Sequence, residues 1–142
     1  MATHPEHQAY LRANPDKAVV AIEELLRAYA AVTTIRICDK EVEIHGVTVK
    51  PGDRVALSTP LGSNDPEEFA DPTEVRFDRK PSHLTFGYGI HRCLGAHLAR
   101  RELQIAMMEF LTQIPQFSLK PGFEVPFFLS NIIHVDELQL VW

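Results

Sequence analysis

The sequence predicts an α+β fold, mainly helical, carrying small antiparallel sheets, and three observations support that expectation. "NPDKAVVAIEELLRAYAAV" has helical periodicity, the stretch from Thr34 to Ser58 alternates between turn signals, and "AHLARRELQIAMMEFLTQI" spaces its apolar residues by three and four. No internal repeat or low-complexity tract interrupts them.

In chain order, "PEHQAYLRA" reads as a short helix. Asn14 as N-cap and Pro15 at the first helical position then predict a helix over about residues 15–31, with Ile22, Leu25, Leu26 and Tyr29 on one side. "TIRIC", "EVEIHGVTV" and "DRVALS" follow as short antiparallel strands, separated by Asp39-Lys40, His45-Gly46 and Pro51-Gly52. Residues 60–83 are rich in Pro, Asp, Glu and Ser and read as a surface meander with at most a turn or two of helix at Asp65-Pro66. The next helix, from residue 96 to 114, is apolar on most of its surface through Leu98, Leu103, Ile105, Met107, Met108, Phe110 and Leu111. A helix of that kind must be buried in something larger. The tail predicts short strands closing in a hairpin around Asp136-Glu137.

The 142 residues fit one domain, and 45% hydrophobic with 23% charged residues is ordinary for a folded soluble chain. A formal charge of -5 excludes a general attraction to nucleic acid or anionic membrane. No apolar run is long enough to cross a bilayer, and "MATHPEHQAY" lacks the apolar stretch of a secretory signal, so the expected location is cytoplasmic. Cys38 and Cys93 are the only cysteines, too few for a disulfide framework.

Cys93 lies in "FGYGIHRCLG", just before the long helix. Helix N-terminal N–H groups, with His91 and Arg92 nearby, favour thiolate over thiol. Gly87, Gly89 and Gly95 permit positive φ angles and let a flat, bulky partner approach the backbone. Three chemistries use such a sulfur. A nucleophilic cysteine needs a base within reach. A zinc site would recruit His91, Cys93 and His97, but has no closely spaced fourth ligand. Heme iron with an axial thiolate needs one cysteine, a shielding aromatic such as Phe86, and a cationic residue such as His91 for a propionate.

"FGYGIHRCLGAHLAR" resembles the heme-ligand loop of the cytochrome P450 family, matching it at Phe86, Gly89, His91, Cys93 and Gly95. "EELLR" upstream matches the family's Glu-x-x-R helix motif at Glu24 and Arg27. The likeness runs over essentially the whole chain and is strongest to soluble bacterial members of the camphor-hydroxylase type. It implies that residues 1–142 form the C-terminal, heme-ligating portion of the domain, because the family's distal oxygen-activating helix has no counterpart upstream of Glu24.

The resemblance implies that Cys93 ligates heme b, with Phe86, Gly87, Gly89 and Gly95 shaping the loop. It implies that His91 and Arg36 bind the propionates. Glu24 and Arg27 form a structural pair joined by a meander arginine, Arg79 or alternatively Arg76. Val32, Thr34, Asn131 and Ile132 match places where relatives touch substrate, although Val and Ile in strands are usually core. Cys38 is most simply a packing residue, and His83 either lies near the heme or makes local hydrogen bonds.

The implied function is hydroxylation of a small apolar substrate with O2. Its electrons come from NAD(P)H through a reductase and an iron–sulfur ferredoxin, which docks where Arg92, Arg100 and Arg101 would form a basic patch. The alternative readings are a non-catalytic heme-binding or scaffold remnant of the family and, from a different class, a zinc or cysteine-hydrolase domain. With the distal half missing, the chain alone is expected to be a poor oxygenase.

Overall fold

The computed structural model describes residues 1–142. Helix α1 (Pro5–Ala13) is followed by a 3-10 turn at Pro15–Lys17 and by α2 (Ala18–Ala28). The sequence places Asn14 as an N-cap for the second helix, but its Nδ2 instead donates to Tyr10 O at 2.9 Å and closes α1. The α2 helix also ends earlier than its periodicity suggests. Beyond Tyr29 the backbone pairs with residues 131–133: Ile133 N donates to Ala31 O and Thr33 N to Asn131 O, both at 2.8 Å. Tertiary pairing therefore outweighs helix propensity there. Tyr29 is exposed, and the buried face of α2 is Ala18, Ala21, Ile22, Glu24 and Arg27.

The predicted strands form as β1 (Thr33–Ile37), β2 (Val42–Ile44), β3 (Val47–Val49) and β4 (Arg54–Ser58). They pair antiparallel as β1 with β4, Thr33 opposite Ser58, and β2 with β3, Val42 opposite Val49. His45 and Gly46 turn the inner hairpin, both at positive φ (49° and 77°), as a two-residue turn of matching twist requires. A one-turn helix α3 (Thr59–Gly62) follows, which the sequence reading missed. Its signal is Ser58-Thr59-Pro60: the Ser58 hydroxyl accepts from Leu61 N at 3.4 Å, and Pro60 sits in the first turn.

The meander runs through turns at Asp65, Asp71 and Arg76, the first a turn of helix closed by Phe69 N donating to Asp65 O at 2.9 Å. It is not only surface, because Ser63, Phe69 and Phe77 are buried. Helix α4 (Ala96–Gln113) buries Ala96 and Leu111, and leaves Leu98 and Ile105 exposed on one side and Leu103 on another. The tail forms β5 (Ser118–Leu119), β6 (Phe127–Phe128), β7 (His134–Val135) and β8 (Leu140–Val141). The hairpin expected around Asp136-Glu137 does not form. β6 pairs with β7 across residues 129–133, and β8 returns to β5, placing Leu140 against the core.

That core is Leu11, Ala21, Phe77, Leu111 and Phe117. Polar groups of α1 lock α4 and its exit onto it. Buried Gln8 donates to Phe117 O at 2.8 Å and accepts from Phe117 N at 3.4 Å. Arg12 donates to Leu111 O and Ile114 O at 2.9 and 2.6 Å, satisfying carbonyls that the end of a helix leaves without partners.

Candidate functional site

Adjacent residues of α2 organise two polar networks. Arg27 and Glu24 are fully buried, three positions apart on one helix face. Arg27 Nε and Nη2 grip the two Glu24 carboxylate oxygens at 2.8 and 2.9 Å in a bidentate pair. Its remaining N–H groups reach Ser63 O, Asn64 Oδ1, Pro72 O and Glu74 O at 2.9–3.1 Å, and its guanidinium lies 5.2 Å from the Phe69 ring centroid. Arg79 Nε donates to Glu24 Oε1 at 3.1 Å. Arg76 reaches the same oxygen only through its backbone N–H, at 3.0 Å, while its side chain pairs with Asp78 in solvent. Burial pushes the Glu24 carboxyl up, but Arg27, the Arg76 N–H and the Arg79 charge together hold it below its ordinary range.

Glu23, one position earlier, faces the cysteine loop. Arg100 of α4 donates to both of its oxygens at 2.6 and 2.9 Å, and His83 Nε2 to one of them at 3.1 Å. The Arg100 guanidinium sits 4.6 Å over the Phe86 ring, and Thr85 Oγ1 donates to Leu26 O at 2.6 Å. Phe86, the first residue of the loop motif, is thus held from α2 and α4. His83 Nδ1 also accepts locally from Thr85 N at 3.3 Å, and burial lowers the His83 pKa against the opposing pull of Glu23. Arg100 is neutralised by Glu23, which removes it from the expected basic patch. Arg92 and Arg101 remain exposed.

From Phe86 the chain turns through Gly87 and Gly89 at φ 70° and 73°, a region strained for any residue with a Cβ. It then makes a 3-10 turn at Gly89–His91 and is closed by Cys93 N donating to Phe86 O at 2.8 Å. The Cys93 thiol is free and exposed, two residues before the N-cap of α4. Gly95 differs from the expectation. Its φ of -80° needs no glycine, but a Cβ there would stand 3.9 Å from Cys93 Sγ. In the same loop, Leu94, Ile90 and Tyr88 are 99%, 97% and 88% exposed.

The structure does not assemble the zinc site. His91, Cys93 and His97 do not converge, and the one grouping of His, Cys, Asp or Glu that could hold a metal lies elsewhere. Neither His91 nor His97 hydrogen-bonds Cys93, so no base is in place for a hydrolase. Of the other candidates, Arg36 is exposed on β1, donating only to Ile35 O. Val32 forms an isolated bridge with Ile132, and Asn131 accepts from Thr33, so Val32, Asn131 and Ile132 come together. Thr34 neighbours them on β1, opposite Leu57. Cys38 follows β1, half-buried, its thiol donating to Lys40 O at 2.9 Å. The sequence reading missed Glu23, Thr85 and Ser63. Only Glu23 beside Glu24 offered a signal, a second acid on a helix whose partners lie far along the chain.

The family model for cytochrome P450 matches residues 1–132. The chain belongs to the cytochrome P450 family. It is 39% identical over its whole length to a probable cytochrome P450 127A1 of Sinorhizobium fredii, of which it covers 34%. Over 82% of its length it is 41% identical to the biotin biosynthesis cytochrome P450 of Bacillus subtilis, covering 30% of that protein. The crystal structure of cytochrome P450 CYP101C1 superposes with a TM-score of 0.94 at 42% identity, over 99% of this chain and 37% of the other. The chain thus spans about a third of the length of the relatives it matches. No helix is long and apolar enough to cross a membrane.

The cofactor of a cytochrome P450 is heme, and the loop fits it. Heme brings its own four equatorial donors, so the protein has to offer a single soft ligand without a competing cluster, which the isolated Cys93 thiol is. The exposed apolar side chains of the loop, Tyr88, Ile90 and Leu94, match a large apolar disc, and Gly95 keeps a methyl group away from the sulfur.

Proposed function

We propose that this chain is the C-terminal, heme-ligating portion of a heme-thiolate monooxygenase, in which Cys93 is the axial ligand of heme b. The observation that carries the reading is the free, exposed Cys93 thiol, presented by a two-glycine turn just before α4 in a loop whose apolar side chains Tyr88, Ile90 and Leu94 are almost fully exposed. Bound heme supplies O2 activation, with one oxygen atom entering the substrate and the other reduced to water by two electrons and two protons. The chain's residues set the surroundings. The Cys93 backbone N–H, tied to Phe86 O, fixes the loop, and the ring of Phe86, clamped by Arg100, stands at its entrance. His91 and Arg36 bind the propionates, a role supported by their exposure and by the absence of a carboxylate partner for either.

The substrate is a small apolar molecule approaching the strip where Val32 meets Ile132, with Thr34 and Asn131 alongside. An iron–sulfur ferredoxin, reduced from NAD(P)H by its reductase, delivers electrons on the Cys93 side, where Arg92 and Arg101 remain positive. The protein acts in the cytoplasm.

The test adds hemin to the purified chain, reduces it with dithionite and admits carbon monoxide. The expected result is the red-shifted Soret band of a thiolate-ligated heme, abolished in Cys93→Ala. An unchanged spectrum in that variant overturns the assignment. Product formation with a ferredoxin system then separates the monooxygenase from a heme-binding remnant, which takes up heme without turnover.

A further inference from the structure

We propose that His4, Glu6 and His7, at the start of α1, form a binding site for a zinc-class divalent cation, independent of the heme site. One ligand atom from each residue lies within 4.8 Å of the other two, the only such grouping in the chain. His4 Nδ1 donates to Glu6 Oε1 at 2.9 Å, and the His4 and His7 rings stack at 5.0 Å. The first turn of α1 produces this arrangement. His4 is the N-cap and His7 stands three positions on, so both rings lie on one face, and Glu6 falls beside them.

Two imidazoles and a carboxylate are a donor set that zinc and its first-row neighbours accept, whereas magnesium and calcium prefer oxygen alone. Zinc held at about 2.0–2.2 Å by nitrogen and oxygen sets its ligands about 3.3 Å apart. The His4–Glu6 pair is within a few tenths of an ångström of that separation, and the widest separation closes by about 1.5 Å. His4 and Glu6 are largely exposed, so rotation of their side chains can supply that movement. His7 is the fixed ligand, its ring 4.8 Å from that of the core residue Phe77. On binding, the metal takes the place of the proton that His4 Nδ1 shares with Glu6, that proton moves to Nε2 so that the imidazole stays neutral, and water completes the coordination.

Calorimetric titration of zinc chloride into the EDTA-stripped chain, in a Cys93→Ala background so that the thiol cannot contribute, tests the site. Expected are one zinc per chain, no comparable heat from magnesium or calcium, and a rise in thermal midpoint with zinc. In His4→Ala the affinity falls by at least the roughly 10- to 100-fold that even outer-shell partners of a metal are worth, and the zinc-dependent midpoint shift disappears. Glu6→Gln, which keeps shape and removes charge, weakens binding in the same direction. Both altered side chains are exposed, so far-UV circular dichroism should match the parent. Absence of zinc binding, or one-to-one binding unchanged in His4→Ala and Glu6→Gln, overturns the proposal.

Discussion

Replacing Arg27 by alanine should come close to unfolding the chain. Its guanidinium makes six hydrogen bonds, two to Glu24 and four to acceptors between Ser63 and Glu74, and no part of it reaches solvent. Removing one partner of a buried ion pair costs about 3–5 kcal/mol, because the other charge stays behind in the interior. Arg79 and the Arg76 N–H still reach Glu24 and soften that term, which argues for its lower end. Against this, four acceptors lose their donor at once, at about 1–3 kcal/mol for each that water fails to reach. With water entering the space that the side chain vacates and reaching all but one of those acceptors, a loss of about 4 kcal/mol follows, out of the ~5–15 kcal/mol typical of a whole domain. Lysine should recover little, since three donors on one point charge cannot replace a planar fork of five.

The assay is urea unfolding followed by far-UV circular dichroism. With a slope of about 2 kcal/mol per molar, the midpoint should fall by about 2 M. Arg76→Ala is the control. Its side chain pairs only with Asp78 in solvent while its backbone N–H still serves Glu24, so the midpoint should not move. If Arg27→Ala costs less than about 1 kcal/mol, the contacts with the meander are not what holds it in place, and the reasoning fails.

Two further outcomes test the cysteine loop. Because burial lowers the folded-state pKa of His83 below its ordinary 6.5, its neutral form contributes stability that is complete above 6.5 and is lost as pH falls through the lowered value. Urea midpoints from about pH 7 to pH 5 should decline in the parent and less in His83→Gln, and parallel declines would refute the linkage. Gly89→Ala should cost about 1–2 kcal/mol, since φ 73° is strained and no neighbour crowds the position. Gly95→Ala, at negative φ but at the N-cap of α4 where Ala is disfavoured, should cost less than Gly89→Ala and weaken hemin uptake through a methyl 3.9 Å from the sulfur.

The legible parts of the fold were those encoded locally. The alternation of "TIRIC" and "DRVALS", the two-residue turn at His45-Gly46 and the spacing of Phe86, Gly89, His91, Cys93 and Gly95 all act within a few residues, and pattern reading reaches them. Asn14 shows the limit of that reading. An Asn before a Pro signals an N-cap, yet the Asn14 side-chain oxygen accepts from no N–H of the next helix, and its Nδ2 donates back to Tyr10 O on the preceding turn. The hairpin expected at Asp136-Glu137 failed similarly, because β8 buries Leu140 by pairing with β5, far back in the chain. The four meander acceptors of Arg27 were illegible in principle. Three are backbone carbonyls, which every residue carries, so no side-chain pattern marks them.

The two networks on α2 explain how a loop so poor in buried apolar residues is held in position. Residues 86–95 contribute nothing to the hydrophobic core, so burial cannot fix the Cys93 sulfur relative to the rest of the chain. Hydrogen bonds and ion pairs are directional where burial is not, and α2 supplies them on neighbouring positions. Glu24 with Arg27 fastens the meander to α2, while Glu23 with Arg100 and His83, together with Thr85 on Leu26, fastens the loop entrance and the first turns of α4 to the same helix. Meander and loop are therefore registered through one rigid element. A disturbance at Arg27 reaches Cys93 through Ser63, whose carbonyl accepts from Arg27 and whose hydroxyl accepts from Leu84 N at 3.2 Å, two residues before Phe86.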